Sequence, residues 1–355
     1  AGTNNAVVGL HLVSRDGSRK AVSWDPDTYE YLVSVAWQSG HRPLITLASR
    51  DQRRFTSLTI ESNGDLVIVL DLHDDQFLEV IPGQPRWLDG HLVTVRDNRQ
   101  TDTRQLYVDD VPVSPQGMQV MSVLGATAGV VDTVVTTEGT QRHIASFSID
   151  GTFVARTTGG VATGCRPVQS PAGCLQVIAQ SLMTNTKRTF TLTLDGTPLH
   201  VFDNLAERPN ISPTVHHLQV GPRAINTAVI FPEGHVPGSR ALPVLLRPYG
   251  GPHGAQVLED AVSYCEDQWF ANQGFAVIIA DGRGTPGRGP AWDHAIHHDF
   301  VTPVLDDQVD ALRAVAEHFP GDIDLSRVGI TGWSFGGYLS ALAVAEPVSY
   351  THLTL

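Results

Sequence analysis

The sequence predicts two regions of different fold class, an all-β region over residues 1–210 followed by an α/β region over residues 211–355. In the first region, short runs of β-branched and aliphatic residues alternate with Gly, Asp, Asn and Pro, which is typical of short strands joined by turns. No segment there keeps an apolar period of 3.6 residues. After residue 210, apolar strands alternate with helical patterns, which indicates an α/β domain with right-handed crossovers.

The first region repeats a hairpin unit. Asp150-Gly151 and Asp195-Gly196 are predicted hairpin turns 45 residues apart, and Asp109-Asp110 lies 41 residues before Asp150. A four-strand unit that recurs every ~40–45 residues has the period of a propeller blade. The matched turns favour about four blades of a β-propeller, cut at its N-terminal side, over a β-sandwich. The predicted strands include residues 31–37, 66–72, 91–95, 130–136 and 190–194.

Composition excludes several classes of function. The net charge of −13 makes nucleic-acid binding a poor match, because such binding needs Lys and Arg against phosphates. No run of about 18 apolar residues predicts a membrane span. We expect no metal site and no cofactor, since no Cys/His cluster has metal-ligand spacing. Of the three cysteines, Cys165 and Cys174 bracket a Pro/Gly loop and either pair or stay as free thiols.

The α/β region contains three predicted strands, at residues 242–246, 275–280 and 328–330, and two predicted helices, at residues 261–272 and 305–319. Continuous apolar strands suit a mostly parallel sheet that is covered on both faces. Asp306 and Asp307 are expected to start the second helix through its dipole.

The segment Gly332-Trp333-Ser334-Phe335-Gly336 matches G-x-S-x-G, the nucleophile elbow of α/β-hydrolases. A very tight strand-to-helix turn presents the Ser hydroxyl, and the glycines avoid collisions with neighbouring backbone. Because a predicted strand precedes this segment and a predicted helix follows it, Ser334 is the candidate nucleophile. Read alone, the segment would be a Gly-rich turn with an N-capping Ser.

Tyr249 lies in RPYGGPHG, directly after the first predicted strand of the α/β region. A hydrolase needs a hydrogen-bond donor from this early loop to complete its oxyanion hole, and a Tyr hydroxyl can serve. The second donor would be the backbone N–H of Phe335. Without Ser334, Tyr249 would be read as a turn residue.

Four segments then occur in order: RPYGGPHGAQV, ADGRGTPGRGPAW, DDQVDALRAV and GITGWSFGGYLSALAV. Together they resemble the prolyl oligopeptidase family of serine peptidases, most closely its dipeptidyl-peptidase IV branch. The resemblance is specific over about residues 242–342 and looser over residues 1–240. It implies a β-propeller that precedes and covers an α/β-hydrolase domain.

The resemblance also implies residue roles. Ser334 is the nucleophile, and Tyr249 with the Phe335 amide forms the oxyanion hole. Phe335 and Tyr338 lie at the pocket for an apolar or prolyl side chain. Asp281 and Arg283 brace loops below the site.

Two parts of the family pattern are missing. The catalytic acid and base should follow the elbow, but only 21 residues follow Ser334 (355 − 334). We therefore expect a hydrolase domain truncated at its C-terminus, with its Asp and His beyond residue 355. His352 lies in a tail that fits the family poorly and is not expected to be the base. The Glu-Glu pair that this branch uses to hold a substrate N-terminus does not occur, so exopeptidase and oligopeptidase activities both stay open.

The preferred function is hydrolysis of short peptides through an acyl-enzyme on Ser334, with release of N-terminal X-Pro dipeptides as a finer hypothesis. The alternatives are an esterase or acyl-peptide hydrolase of the same fold, and a non-catalytic relic. Residues 1–355 alone are expected to be inactive and poorly stable. The expected partner is a short peptide, with a homodimer allowed for the full-length parent. Because no signal peptide is recognised, a cytoplasmic location is favoured. The chain begins at Ala1 without Met, so its native N-terminus is expected upstream.

Overall fold

The computed structural model describes residues 5–345. The chain begins with a two-stranded hairpin, β1 (Leu10–Val13) and β2 (Arg19–Val22). Four antiparallel sheets follow in chain order, and we call β1–β19 the repeated-sheet region. Among residues 5–345, no helix combines the length and the apolarity needed to cross a bilayer.

Each of the four sheets is built from consecutive strands. The first contains β3 (Tyr31–Ala36), β4 (Leu44–Ala48), β5 (Arg54–Ile60) and β6 (Leu66–His73). The second contains β7 (Arg86–Leu88), β8 (His91–Asn98), β9 (Thr103–Val108) and β10 (Val111–Pro112). The third contains β11 (Gln119–Thr127), β12 (Val130–Thr136), β13 (His143–Ser148) and β14 (Phe153–Ala155). The fourth contains β15 (Val161–Gly164), β16 (Val168–Ser170), β17 (Gly173–Leu182), β18 (Asn185–Leu194) and β19 (Thr197–Phe202).

The predicted hairpin turns join neighbouring strands of these sheets. Asp109 and Asp195 take φ values of 52° and 49°, and Gly151 and Gly196 take 85° and 79°. Positive φ at these positions is what a tight two-residue hairpin requires, and Asp tolerates it better than most residues. Three of the four sheets thus show the predicted four-strand unit and the fourth adds one short strand, β16, while the propeller arrangement of the sheets stays a prediction.

Consecutive sheets pack through their buried inner strands. One apolar cluster joins the second sheet to the third, with Val93 and Leu106 on one side and Val131 and Phe147 on the other. A smaller cluster joins the third sheet to the fourth. The last strands of the second, third and fourth sheets, β10, β14 and β19, are exposed. The three cysteines are free thiols.

The α/β region follows β19, and its part up to residue 345 contains five strands and four α-helices. The strands are β20 (Val215–Val220), β21 (Ile225–Ile230), β22 (Leu242–Leu246), β23 (Ala276–Asp281) and β24 (Ile323–Ile330). The helices are α1 (Cys265–Asn272), α2 (Pro290–His294), α3 (Thr302–His318) and α4 (Phe335–Ala345), and a 3-10 turn (Ala261–Tyr264) precedes α1.

The five strands form one sheet in the order β20-β21-β23-β22-β24. Strands β22, β23 and β24 are parallel, as expected, whereas β20 and β21 add an antiparallel edge. Successive residues of β23 enter different clusters: Ile278 packs with α3, and Ile279 packs with Tyr264 and α1. The sheet is therefore covered on both faces, which explains why its central strands read as continuous apolar runs.

The expectation that Asp306 and Asp307 start a helix is wrong. Helix α3 begins at Thr302, with Pro303 in its first turn, where a missing N–H costs nothing. Asp307 is fully buried and accepts hydrogen bonds from the side chains of Arg223 and Arg283. Its role is that of an acceptor shared by two loops.

Candidate active site

Ser334 stands in a tight turn between β24 and α4. Its φ of 55° lies in the left-handed region, which a side chain with a Cβ atom rarely adopts. The turn is closed by a bond from the Gly336 N–H to the Trp333 carbonyl (2.9 Å), and the Tyr338 N–H donates to the Ser334 carbonyl (3.0 Å). A strained non-Gly residue persists only where its surroundings fix it, and such residues cluster at functional sites.

The glycines around Ser334 are required by close backbone approach. A Cβ atom on Gly332 would overlap the backbone of Gly336. One on Gly336 would overlap the carbonyl oxygen of Pro248, in the loop after β22. The predicted reason for glycine at these positions is confirmed, and the turn packs directly on the loop that carries Tyr249.

The turn presents Ser334 to solvent. Ser334 is exposed, and the preceding Trp333 is 88% exposed. Phe335 is the first residue of α4, and its N–H has no acceptor among the residues that the structure describes. The first amides of a helix are free donors at the positive end of its dipole. The Phe335 amide can therefore bind an anion that forms beside Ser334.

Tyr249 lies at the same edge of the sheet as Ser334. Strands β22 and β24 are parallel neighbours, so their carboxyl ends meet at one edge, and Tyr249 and Ser334 follow those ends. The half-buried Tyr249 ring lies 6.4 Å from the Phe335 ring between centroids. A Cβ on Gly254 would come within 2.7 Å of Tyr249 Cε1, so this glycine makes room for the ring.

Phe335 and Tyr338 form an aromatic wall beside the turn. Their ring centroids are 5.6 Å apart, Phe335 is half-buried and Tyr338 is 47% exposed. A Cβ on Gly251 would come within 2.6 Å of the Phe335 ring, so the Tyr249 loop closes over one side of this wall. The wall can take an apolar side chain by burying its surface.

Asp281 and Arg283 hold the loop that follows β23. The Asp281 carboxylate accepts hydrogen bonds from the amides of Gln256 (2.9 Å) and Val257 (2.7 Å). Burial raises the pKa of Asp281 to about 6, although these bonds act to lower it. Arg283 pairs with Asp307 at 2.9 Å. Both side chains bind protein groups, in agreement with the bracing role that the resemblance implied.

A cavity of about 550 Å³ lies between the repeated-sheet region and the α/β region. Pro252 and His253, from the Tyr249 loop, line it, as do Gly284 and Pro286 from the loop after β23. The opposite wall comes from the second, third and fourth sheets and the chain before β7, including Glu79, Met121, Val161 and Thr163. The cavity thus adjoins the edge of the sheet that carries Ser334.

A buried ionic cluster beside this cavity was not predicted from the sequence. Arg104 of β9 is buried and pairs with Asp97 (2.8 Å) and with Asp293 of α2 (3.0 Å). His294 stacks on Phe77 with ring centroids 3.9 Å apart. These partners lie far apart in the chain, and no local motif marks them.

His352 lies outside the described residues. Within residues 5–345, no group of three or more His, Cys, Asp and Glu side chains is arranged to hold a metal ion.

Comparison with known proteins gives a family-model match within the α/β region and weaker similarity to relatives over the whole chain. The model of the prolyl oligopeptidase family matches residues 261–353. The chain is 23% identical to venom dipeptidyl peptidase 4 of Vespula vulgaris over 397 residues, covering 98% of this chain and 49% of the relative. Over 113 residues, it is 37% identical to human dipeptidyl peptidase 8, covering 31% of this chain and 12% of that protein.

Solved structures share the fold. Dipeptidyl peptidase 4 of Porphyromonas gingivalis matches with a TM-score of 0.80 at 21% identity, over 97% of this chain and 51% of that chain. A putative dipeptidyl aminopeptidase IV of Bacteroides ovatus matches with a TM-score of 0.75 at 15% identity. The chain therefore spans about half the length of the full-length relatives that it matches.

The strained Ser334 turn and the Tyr249 loop packed against it agree with the matched family model: residues 261–353 are similar to the prolyl oligopeptidase family, and the chain as a whole is similar to dipeptidyl peptidase 4 proteins.

Proposed function

We propose that the full-length protein containing this chain is a serine peptidase that hydrolyses short peptides. The observation that carries this proposal is Ser334 at a φ of 55° between β24 and α4, with Gly336 packed on the Tyr249 loop. The dipeptidyl peptidases among its relatives favour release of dipeptides as the finer activity, and X-Pro dipeptides are the hypothesis that the family resemblance adds.

In the proposed mechanism, Ser334 Oγ attacks the carbonyl carbon of the scissile peptide bond. The proton of Oγ passes to a general base, for which the family order predicts a His beyond residue 355. Negative charge develops on the carbonyl oxygen. The Phe335 N–H and the Tyr249 hydroxyl donate hydrogen bonds to it, since preorganised donors stabilise such charge strongly.

The tetrahedral species then collapses. Its C–N bond breaks, the amine leaves with a proton from the base, and the acyl group stays on Ser334 Oγ. Water attacks this ester in the second half of the reaction and releases the acid. The aromatic wall of Phe335 and Tyr338 would hold an apolar or prolyl side chain next to the scissile bond.

The test compares three forms of the full-length protein on a chromogenic X-Pro amide and a matched ester. Ser334→Ala should lower kcat by on the order of 10⁶, as for loss of a triad nucleophile. Ser340→Ala is the matched control, because the Ser340 hydroxyl bonds the Gly336 carbonyl inside α4 (2.7 Å). Its kcat should stay near that of the wild type.

Tyr249→Phe should lower kcat by about 10²–10³ with little change in stability, as for one oxyanion donor. A loss below tenfold for Ser334→Ala would remove Ser334 from the mechanism, and unchanged kinetics for Tyr249→Phe would assign the donor elsewhere. Turnover of the ester alone would favour an esterase, and no turnover of either substrate would favour a relic.

A further inference from the structure

The cavity beside the Tyr249 loop contains ionisable side chains, and most of them are paired. Arg104 and Asp293 form an ion pair, and Glu79 binds His253 Nδ1 at 3.1 Å. Arg188 donates to the Ser181 hydroxyl at 3.1 Å and lies 3.9 Å from Asp260. Each of these charged groups has a partner of opposite charge, although Asp293 Oδ1 itself is buried without a hydrogen bond in residues 5–345, so they give little reason to expect an anionic ligand.

Arg142 differs from the other charged groups that line the cavity. Its guanidinium forms neither an ion pair nor a hydrogen bond with any group in residues 5–345, although the residue is half-buried. Burial lowers the pKa of Arg142, and the charge of Asp281 opposes that effect. A guanidinium stays charged in proteins and offers five N–H donors. A partly desolvated charge without a partner costs free energy, which a ligand of opposite charge would recover.

The position of Arg142 is fixed by the backbone on both sides. Its N–H donates to the Gly160 carbonyl (3.0 Å), and its carbonyl accepts from the Ala162 N–H (2.8 Å). Arg142 therefore bridges the start of β13 to the start of β15, at the junction of the third and fourth sheets. A rigid base reduces the entropy that the side chain loses when it binds a ligand.

The cavity lies within reach of a short peptide bound at Ser334. His253 lines the cavity and follows Tyr249 by only four residues (253 − 249), which span at most about 14 Å. Tyr249 lies beside Ser334, since its ring is 6.4 Å from that of the adjacent Phe335. An extended peptide covers the combined path in about six residues at roughly 3.3 Å each. One end of a peptide at Ser334 can therefore enter the cavity that Arg142 lines.

We propose that Arg142 binds a carboxylate of the peptide substrate and so selects short peptides that place a carboxylate in this cavity. The proposal rests on the proposed peptidase function for its substrate class. A planar guanidinium suits a carboxylate because it can form two parallel N–H···O bonds. The carboxylate comes either from the peptide C-terminus or from an acidic side chain.

The kinetic test uses the full-length protein and three peptides of equal length. The first has a free C-terminus, the second has the same sequence with an amidated C-terminus, and the third is amidated but carries Asp as its last residue. We expect kcat/KM to be about 10- to 100-fold higher for a carboxylate-bearing peptide than for the neutral one, equivalent to about 1.4–2.8 kcal/mol. Arg142→Gln should abolish that ratio and leave kcat/KM for the neutral peptide near the wild-type value.

The peptides distinguish the two sources of the carboxylate. A preference for the free C-terminus alone supports the terminal carboxylate, and an equal preference for the Asp peptide supports an acidic side chain as well. Arg188→Gln is the matched control, because Arg188 lines the same cavity but has partners. That variant should keep the preference, and Arg142→Lys should keep only part of it because Lys lacks the planar fork.

A binding measurement separates this proposal from the proposed catalysis. Calorimetry with the Ser334→Ala protein should give a lower Kd for the carboxylate peptide than for the amide, and Arg142→Gln should equalise the two. This result is expected even if Ser334 proves not to be the nucleophile. Equal affinities for both peptides, or an Arg142→Gln variant that weakens both equally, would overturn the role of Arg142.

Discussion

Backbone strain at Ser334 is maintained by the packing of single glycines around it. The φ of 55° at Ser334 costs free energy, which the bonds of the turn and the contact with the Tyr249 loop must offset. Gly336 is the point of contact, because its Cα faces the carbonyl of Pro248. One residue thus couples the shape of the elbow to the position of the predicted oxyanion donor.

Gly336→Ala tests this coupling. The added methyl would overlap the Pro248 carbonyl, so we expect a loss of about 1–3 kcal/mol in the free energy of unfolding. The displaced loop should also lower kcat at least about tenfold, because misplacement by 1 Å can cost far more. Gly329→Ala is the control: its Cβ would lie 3.9 Å from Leu245 Cδ1, an ordinary contact. Wild-type stability and kcat in Gly336→Ala would show that the loop is not held there.

Asp293 gives a second test at the scale of one residue, because its charge depends on pH. Burial raises its pKa to about 7, and the carboxylates of Asp97 and Glu79 add to this, whereas Arg104 opposes it. Between about pH 4 and pH 7 the folded protein therefore holds a proton on Asp293 that the unfolded chain has lost, and its contact with Arg104 becomes a full ion pair only above this window. The contribution of Asp293 to the free energy of unfolding should therefore fall as pH rises through that window, by up to about 1.4 kcal/mol per pH unit.

Asp293→Asn removes this titration. We expect the free energy of unfolding of the variant, relative to the wild type, to rise by about 2 kcal/mol from pH 5 to pH 7 and then to level off. Urea denaturation of both proteins at intervals of one pH unit measures the difference. A difference that stays constant with pH would mean that Asp293 is ionised throughout in the folded protein.

At the scale of elements, helix α3 anchors two loops through Asp307. The carboxylate accepts from the Arg283 backbone N–H (2.6 Å) and from the Arg283 guanidinium (2.9 Å), which fixes the loop after β23. It also accepts from Arg223 Nε at 2.9 Å, in the turn between β20 and β21. A fully buried carboxylate needs several donors to be tolerated, and these two arginines supply them.

Asp307→Ala should therefore lower the free energy of unfolding by about 2–4 kcal/mol, because within residues 5–345 Arg283 loses its only carboxylate partner and keeps the Pro303 carbonyl, while Arg223 keeps only Asp310. The adjacent Asp306 is exposed, so Asp306→Ala is a matched control and should change stability by less than about 0.5 kcal/mol. Thermal unfolding of the two variants measures the contrast. Similar losses from both would mean that helix charge, and not the shared acceptor, makes Asp307 important.

Features set by neighbouring residues were predictable from the sequence, and features set by distant residues were not. The Asp195-Gly196 turn and the Ser334 elbow depend on local backbone geometry, so their motifs predicted them. The ion pair of Arg104 with Asp293 joins residues 189 apart (293 − 104) and depends on how two regions pack. No motif near Arg142 in the sequence predicts that its guanidinium has no partner in residues 5–345. The helix-start role predicted for Asp307 was wrong because acidic residues near helix starts are common, whereas the burial of Asp307 is a tertiary property.

For the whole molecule, the connection between the two regions is polar as well as apolar. Arg104 of β9 reaches Asp293 of α2, Gln141 binds Glu259 at 2.8 Å, and Asn226 donates to the Glu138 carbonyl at 2.9 Å. Buried polar contacts require the two regions to keep their relative positions, because separating them leaves buried polar groups without hydrogen-bond partners. We therefore expect the two regions to unfold together when these contacts are intact.

The outer edge of β24 governs the behaviour of residues 1–355 when they are expressed alone. Strand β24 pairs with β22 on one side, and on the other it pairs with no strand of residues 5–345. Leu325, in the stretch of β24 between Asp324 and Val328 where the pairing with β22 shifts register, is 51% exposed. A free edge with exposed apolar side chains presents unpaired N–H and C=O groups that another chain can bind.

We predict that purified residues 1–355 self-associate through this edge, as size-exclusion chromatography with light scattering at increasing concentration would show. Leu325→Lys should reduce the association, because a charged side chain on an edge strand opposes pairing with a second copy. Leu205→Lys is the control, since Leu205 is 92% exposed but lies in the loop after β19. A monomer at all concentrations, or equal suppression by both substitutions, would contradict pairing at β24. If β24 is the contact, the same Leu325→Lys change should also raise the temperature at which the chain precipitates, because fewer copies would add to the open edge.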